Sequence, residues 1–257
     1  MRISGVTVCV GYAHLLSAAL PRWLAGLDEL TVVTTTTDQS TQDAVRAAFA
    51  THKAARAGSG ARLLRVHETD AFYRGGASFN KGLALAEAFE RPGLLGPGAD
   101  AADAEADDRW FLTFDADVNP PDDWRTVVEN ATPTPGVLYG AYRFRALPSG
   151  ARDMFRENEL AGFFQLWHAS DPNVVVRPLY DVHWRHAGGY DSEFQRRWPP
   201  QSRVKLPLTL EHVGEPGRNW WGVGNEAASI EMFRRRAELR GVDQARERMP
   251  GAPPWVR

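Results

Sequence analysis

The sequence predicts an α/β fold with a mostly parallel central sheet flanked by helices and an irregular C-terminal half. Three observations carry that expectation. Up to about residue 120, β-branched runs alternate with segments whose apolar side chains recur at helical spacing. The last run of that series stops abruptly at two carboxylates. Beyond it, short extended pieces are separated by loops rich in Gly, Pro, Trp and His. A β-α-β-α-β-α-β rhythm is the signature of parallel strands joined by crossover helices.

The elements follow in order. Val6-Thr7-Val8-Cys9-Val10 is a short β-branched run fit for a strand buried on both faces. Residues 14–27 place Leu15, Leu16, Ala19, Leu20, Trp23, Leu24 and Leu27 at helical spacing. Leu30 to Thr37 is rich in Val and Thr and reads as a second strand. Asp38 and Ser40 then offer the side-chain oxygens that start a helix, which runs to about residue 56. Arg62 to His67 is a third strand, Phe79 to Glu90 a third helix, and Trp110 to Phe114 a fourth strand. Between Pro92 and Arg109 the chain is rich in Gly and Pro, then in Ala and acid, as a solvated excursion would be. In the second half, Gly136 to Arg145 suits a strand, Glu157 to His168 a short helix, and about Asn225 to Arg240 a last helix carrying Arg234-Arg235-Arg236. With no domain boundary visible, 1–257 reads as one domain, its first half (1–120) nucleotide-fold-like and its second (121–257) able to build another binding surface.

Composition narrows the function classes. The 30 basic and 32 acidic side chains leave a net charge of −2, which argues against a strongly basic nucleic-acid binder. Arginine outnumbers lysine 27 to 3 without clustering in one stretch, as a coding bias would produce. A single cysteine, Cys9, excludes an internal disulfide framework and a multi-cysteine zinc site. No apolar run reaches the roughly 18 residues of a membrane helix, and Met1 to Val10 lacks a signal-peptide layout. These features predict a cytoplasmic protein without stable membrane insertion.

The sharpest chemical signal is Phe111-Leu112-Thr113-Phe114-Asp115-Ala116-Asp117. On an extended backbone, side chains two apart point the same way, so Asp115 and Asp117 are expected to converge on one cation or polar ligand. Strand carboxyl ends are where open α/β sheets bind ligands. Such oxygen donors suit Mg²⁺ or Mn²⁺. Without further context, two solvated aspartates opening a turn at Asn119-Pro120-Pro121 fit the same letters.

An Asp-x-Asp that closes the fourth strand of an α/β half resembles the signature of GT-A fold glycosyltransferases, a Rossmann-like class that acts on nucleotide sugars. Other segments extend the likeness over about residues 6 to 226. Thr34 to Thr41, including Thr37 and Asp38, follows the second strand, where that family places a polar stretch near the nucleobase. Phe79-Asn80-Lys81-Gly82 resembles the family's entry to the third helix, with Asn80 and Lys81 facing the nucleotide. Ala187-Gly188-Gly189-Tyr190-Asp191-Ser192-Glu193-Phe194 resembles its acceptor-side Gly-Gly-aromatic-Asp-Glu motif. The resemblance implies that Asp117 is the more direct metal ligand, and that Asp115 reaches the metal through water or binds the ribose. It also implies a late histidine as a third ligand, for which His212 is the candidate, a neutral imidazole favouring Mn²⁺. Arg74, before Gly75-Gly76, is a candidate for the diphosphate.

Attack by an acceptor hydroxyl needs a base. Asp191 is the first choice by resemblance, then Glu193. Glu226 lies in Trp220-Trp221-Gly222-Val223-Gly224-Asn225-Glu226, which departs from the family's Trp-Gly-Gly-Glu-Asp/Asn element and leaves the base open. Aromatic faces stack on sugars, so Trp220 or Trp221 is expected at the site, while Trp167, Trp184 and Trp198 suit the core. His183 and His186 form a weak His-x-x-His zinc pattern. The implied activity is transfer of a sugar from a UDP-sugar, with Mn²⁺ or Mg²⁺, to a saccharide or other hydroxyl acceptor, modified DNA bases included, with inversion. The rival readings are a non-catalytic nucleotide-sugar binder and an Asp-x-Asp phosphatase. In phosphatases of the haloacid-dehalogenase type, the motif closes the first strand instead.

Overall fold

The computed structural model describes residues 1–55, 63–91, 94–95, 108–146, 152–154, 160–184 and 187–213. Nine strands among them form one mixed sheet in the order β3-β2-β1-β4-β8-β6-β9-β5, with β7 paired to β6. The first half obeys the expected rhythm: β1 (Arg2–Val8), α1 (Ala13–Gly26), β2 (Glu29–Thr34), α2 (Gln39–Ala55), β3 (Leu63–Glu68), α3 (Lys81–Phe89) and β4 (Arg109–Asp115). Its four strands run parallel, with β1 between β2 and β4. Alternate side chains of β1 serve opposite layers: Ile3 packs with one core, Val6 and Val8 with the other.

Those two cores explain where the helices sit. One holds Leu16, Leu20 and Trp23 of α1, Val45 of α2, and Trp124 and Val128 of α4 (Trp124–Asn130). The other holds Ala84, Leu85 and Phe89 of α3 with Tyr190 and Phe194 of α5 (Tyr190–Gln195). The sheet is therefore covered on both faces, a Rossmann-like arrangement. None of the described helices is long and apolar enough to cross a membrane.

The second half contains the main departure from expectation. Of the segment anticipated as a helix over 157–168, residues 160–163 lead through a turn into strand β8 (Phe164–His168), antiparallel to β4. All five residues of β8 are buried. A short segment buried on both faces shows no clean alternation, so periodicity cannot separate a strand from a buried helix. Beyond it, β6 (Leu138–Ala146) pairs with β7 (Arg152–Met154) and with β9 (Arg203–His212). The final strand pairing, β5 (Val118–Asn119) against the end of β9, sets Val118 opposite His212. The anticipated helix at 225–240, with its arginine run, lies outside the described residues, as does most of the acidic excursion.

Candidate active site at the end of β4

Three anchors fix the corner that follows β4. Trp23 stacks on Phe114 with ring centroids 4.2 Å apart, and its indole N–H donates to the carbonyl of Val118 at 2.9 Å. Thr7 donates its hydroxyl to the Phe114 carbonyl at 2.8 Å. The chain thus turns sharply at Ala116-Asp117 and enters β5. This corrects the expectation that Asp115 and Asp117 lie on one extended backbone. Asp115 is the last residue of β4, whereas Asp117 sits in the turn, so strand alternation does not hold across the pair.

Each aspartate accordingly has its own partner. Asp117 Oδ2 lies 3.3 Å from His212 Nε2, and the two backbones are tied by the Val213 N–H donating to the Asp117 carbonyl at 2.9 Å. The β5–β9 ladder therefore delivers His212, 95 residues later in the chain, to the second aspartate. Both residues are nearly buried. Asp115, more open than Asp117, forms an ion pair with Lys81, the first residue of α3.

The Lys81 end belongs to a larger cluster. Burial by itself would lower the Lys81 ammonium's pKa, but the charge of Asp115 and the Tyr190 hydroxyl hold it above the ordinary lysine range. The ammonium lies 5.2 Å from the Tyr190 ring centroid. Burial pushes the Tyr190 hydroxyl well up, with Lys81 opposing. Asp191 Oδ2 accepts the Gly162 N–H at 2.8 Å and Oδ1 the Ser192 N–H at 2.9 Å. Burial, with the nearby Asp115 charge added, raises Asp191 above the usual carboxylate range in spite of those two donors. Gly162 is needed for this approach. A Cβ there would stand 2.5 Å from the Tyr190 hydroxyl oxygen and 2.9 Å from Asp191 Cβ. Gly189, with φ of 94°, starts α5 in a conformation that side-chain-bearing residues rarely adopt.

The remaining sequence candidates have other company. Asp38 caps α2 and also holds the loop after β1. It accepts from Thr41 Oγ1 at 2.7 Å, Ser40 Oγ at 2.7 Å and the Gly11 N–H at 2.6 Å. Burial would raise its carboxyl, but these donors outweigh that and lower it. Thr37 lies in the turn before α2, its hydroxyl 3.3 Å from that of Thr35. Arg74 is exposed and bound to Asp70 and Glu87. Asn80 is fully buried, accepts the Leu83 N–H at 2.8 Å and donates to the Val182 carbonyl at 2.7 Å. Glu193 pairs with Arg196 at 2.9 Å. Trp167, Trp184 and Trp198 are buried core residues, as expected. His183 contacts Asp181 at 3.1 Å. Glu226, Trp220, Trp221 and His186 lie outside the described residues.

The structure thus gathers Asp115, Lys81 and Asp191 into one cluster and Asp117 with His212 into a neighbouring pair. Sequence reasoning gave no role to Tyr190 beyond its motif, and none to Gly162. The latter had no local signal, because its part depends on α5 approaching the loop before β8. Among the described residues, no group of three or more His, Cys, Asp or Glu side chains is arranged to hold a metal ion. The Asp117–His212 spacing is that of a direct side-chain contact, and it is equally compatible with two ligands on one cation. Two ligands at 2.0–2.2 Å from a shared cation in adjacent positions stand about 3 Å apart, close to the observed 3.3 Å.

No protein-family model matches the chain, and no curated protein matches it either. Among solved structures, one similar to it is described as a glucose-1-phosphate thymidylyltransferase of Bacillus anthracis in complex with sucrose. It shares 8% identity over 96% of this chain and 98% of that one, at a TM-score of 0.42. So loose a likeness bears on neither activity nor ligand.

Proposed function

We propose that this protein is a glycosyltransferase that moves a sugar from a UDP-sugar to an acceptor hydroxyl with the help of Mn²⁺ or Mg²⁺. One observation carries the reading. At the carboxyl end of the parallel strands, β5–β9 pairing sets His212 beside Asp117, while Asp115 and Lys81 lie at the end of the neighbouring strand and helix.

In this reading Asp117 and His212 hold the divalent ion, which supplies Lewis-acid stabilisation to the departing diphosphate. Lys81, kept cationic by Asp115, faces the same negative charge. Asp191 is the base. Its raised pKa moves it toward the pH at which a carboxylate accepts a proton most usefully, and each of its oxygens keeps a lone pair beyond the bond to a backbone N–H. As Asp191 removes the acceptor's hydroxyl proton, the acceptor oxygen forms a bond to the anomeric carbon. The bond from that carbon to the phosphate oxygen breaks, and its electron pair leaves with UDP. Attack from the side opposite the leaving group inverts the anomeric centre.

The test is UDP release from a panel of UDP-sugars with Mn²⁺ present. Asp117→Ala is expected to lower kcat/KM by about 100-fold or more, in line with losing a ligand of the metal. Asp43→Ala, on the exposed side of α2, leaves it unchanged. Equal rates in wild type and Asp117→Ala contradict the reading. Binding of a UDP-sugar with no turnover under any condition would identify a non-catalytic binder instead.

A further inference from the structure

The first carboxylate of the Asp-x-Asp segment already has a cation of its own. Asp115 closes β4 and meets the ammonium of Lys81, which stands at the positive end of the nine-residue helix α3. Lysine carries three N–H donors. Asp115 accepts one of them, and the ammonium lies 5.2 Å from the Tyr190 ring centroid. The side chains of Lys81 and Asp115 keep 12% and 28% of their surface open. A divalent ion seeking both aspartates would have to displace that ammonium from Asp115, whereas Asp117 has a separate neighbour in His212. The other cation near the α3 entry, Arg74, is bound to Asp70 and Glu87.

We infer that Lys81, oriented by Asp115, is a resident counter-cation for the diphosphate, so that the site takes up UDP without a divalent ion and requires the ion only for cleavage of the sugar–phosphate bond. This inference rests on the nucleotide-sugar reading given above. Its physical basis is that a partly buried ammonium binds a phosphate oxygen through a charge-assisted hydrogen bond, strengthened by reduced screening. The Asp115 carboxylate fixes the ammonium's position before the ligand arrives, which lowers the ordering cost of binding.

Calorimetric titration of the 257-residue chain with UDP, in excess EDTA and again with Mn²⁺, tests the inference. In EDTA the wild-type affinity is expected to lie within about tenfold of the value with Mn²⁺. Lys81→Met is expected to weaken binding in EDTA by about tenfold or more, the range for losing one charge-assisted hydrogen bond. Lys81→Arg, which keeps the charge, is expected to restore most of that loss. Circular dichroism of each variant confirms folding, and Lys81→Gln, which keeps a polar head beside Asp115, takes the place of Lys81→Met if that variant does not fold. UDP binding seen only with Mn²⁺ overturns the inference and leaves the nucleotide-sugar reading standing. Unchanged binding by Lys81→Met in EDTA overturns it too. No UDP binding under either condition overturns both.

Discussion

His67 shows how a single buried group ties the fold to pH. It lies on β3 opposite Val33, is 5% exposed, and among the described residues neither ring nitrogen has a hydrogen-bond partner. Burial, with the charge of Arg91 adding and that of Glu87 opposing, pushes its pKa down to about 4 from 6.5. The folded state thus binds the proton less readily than the unfolded chain. Its contribution to stability is complete above about pH 6.5 and declines as pH falls toward about 4. The difference in melting temperature between wild type and His67→Leu is expected to shift in the variant's favour across that window. A difference independent of pH there would contradict the assignment. Cys9, next to Thr41 and pushed up to about 12 chiefly by burial, is a core thiol without thiolate chemistry.

At the scale of elements, the start of α3 carries the most consequence. Asn80 caps the helix through the Leu83 N–H and reaches across to the Val182 carbonyl, which joins the parallel-strand half to the segment leading into α5. Asn80→Ala removes the cap, typically about 1 kcal/mol, and takes its donor from the half-buried Val182 carbonyl, about 0.5–1.5 kcal/mol more. A loss of about 1.5–2.5 kcal/mol in urea denaturation is therefore expected. Asn80→Asp keeps the acceptor for Leu83 but not the donor for Val182, and should recover only part of the loss. A near-neutral Asn80→Ala would mean that the bridge carries no stability.

The order and type of the elements in the first half are legible because each strand and helix announces itself locally, through β-branched runs, helical spacing and the Asp38 cap that α2 does use, although β1 begins at Arg2, four residues before the Val6–Val10 run, and ends at Val8. The sequence stopped being informative where burial removes periodicity. β8 presents Phe164, Leu166 and Trp167 to cores on both sides of the sheet, and nothing in that string tells a strand from a buried helix. Site residues divide in the same way. Asp115 and Asp117 stand out as carboxylates ending an apolar strand, yet their separate partners, Lys81 and His212, come from a distant helix and a distant strand. Arg74 looked like a phosphate ligand in sequence because its two acidic partners, Asp70 and Glu87, gain meaning only once the chain is folded.

For the molecule as a whole, the sheet brings together what the chain keeps apart. β4 supplies Asp115, α3 supplies Lys81, α5 supplies Asp191, and the β5–β9 ladder joins Asp117 to His212. If that convergence is a catalytic centre, a divalent ion and a nucleoside diphosphate bound there strengthen each other's affinity. Electron paramagnetic resonance of free Mn²⁺, titrated with the protein in the presence and absence of UDP, reads this directly. Wild type is expected to sequester Mn²⁺ more tightly when UDP is present. Asp117→Asn and His212→Gln are each expected to weaken that uptake by about tenfold or more. A wild-type protein that leaves the Mn²⁺ signal untouched with UDP present, or variants that take up the ion as well as wild type does, would contradict the account.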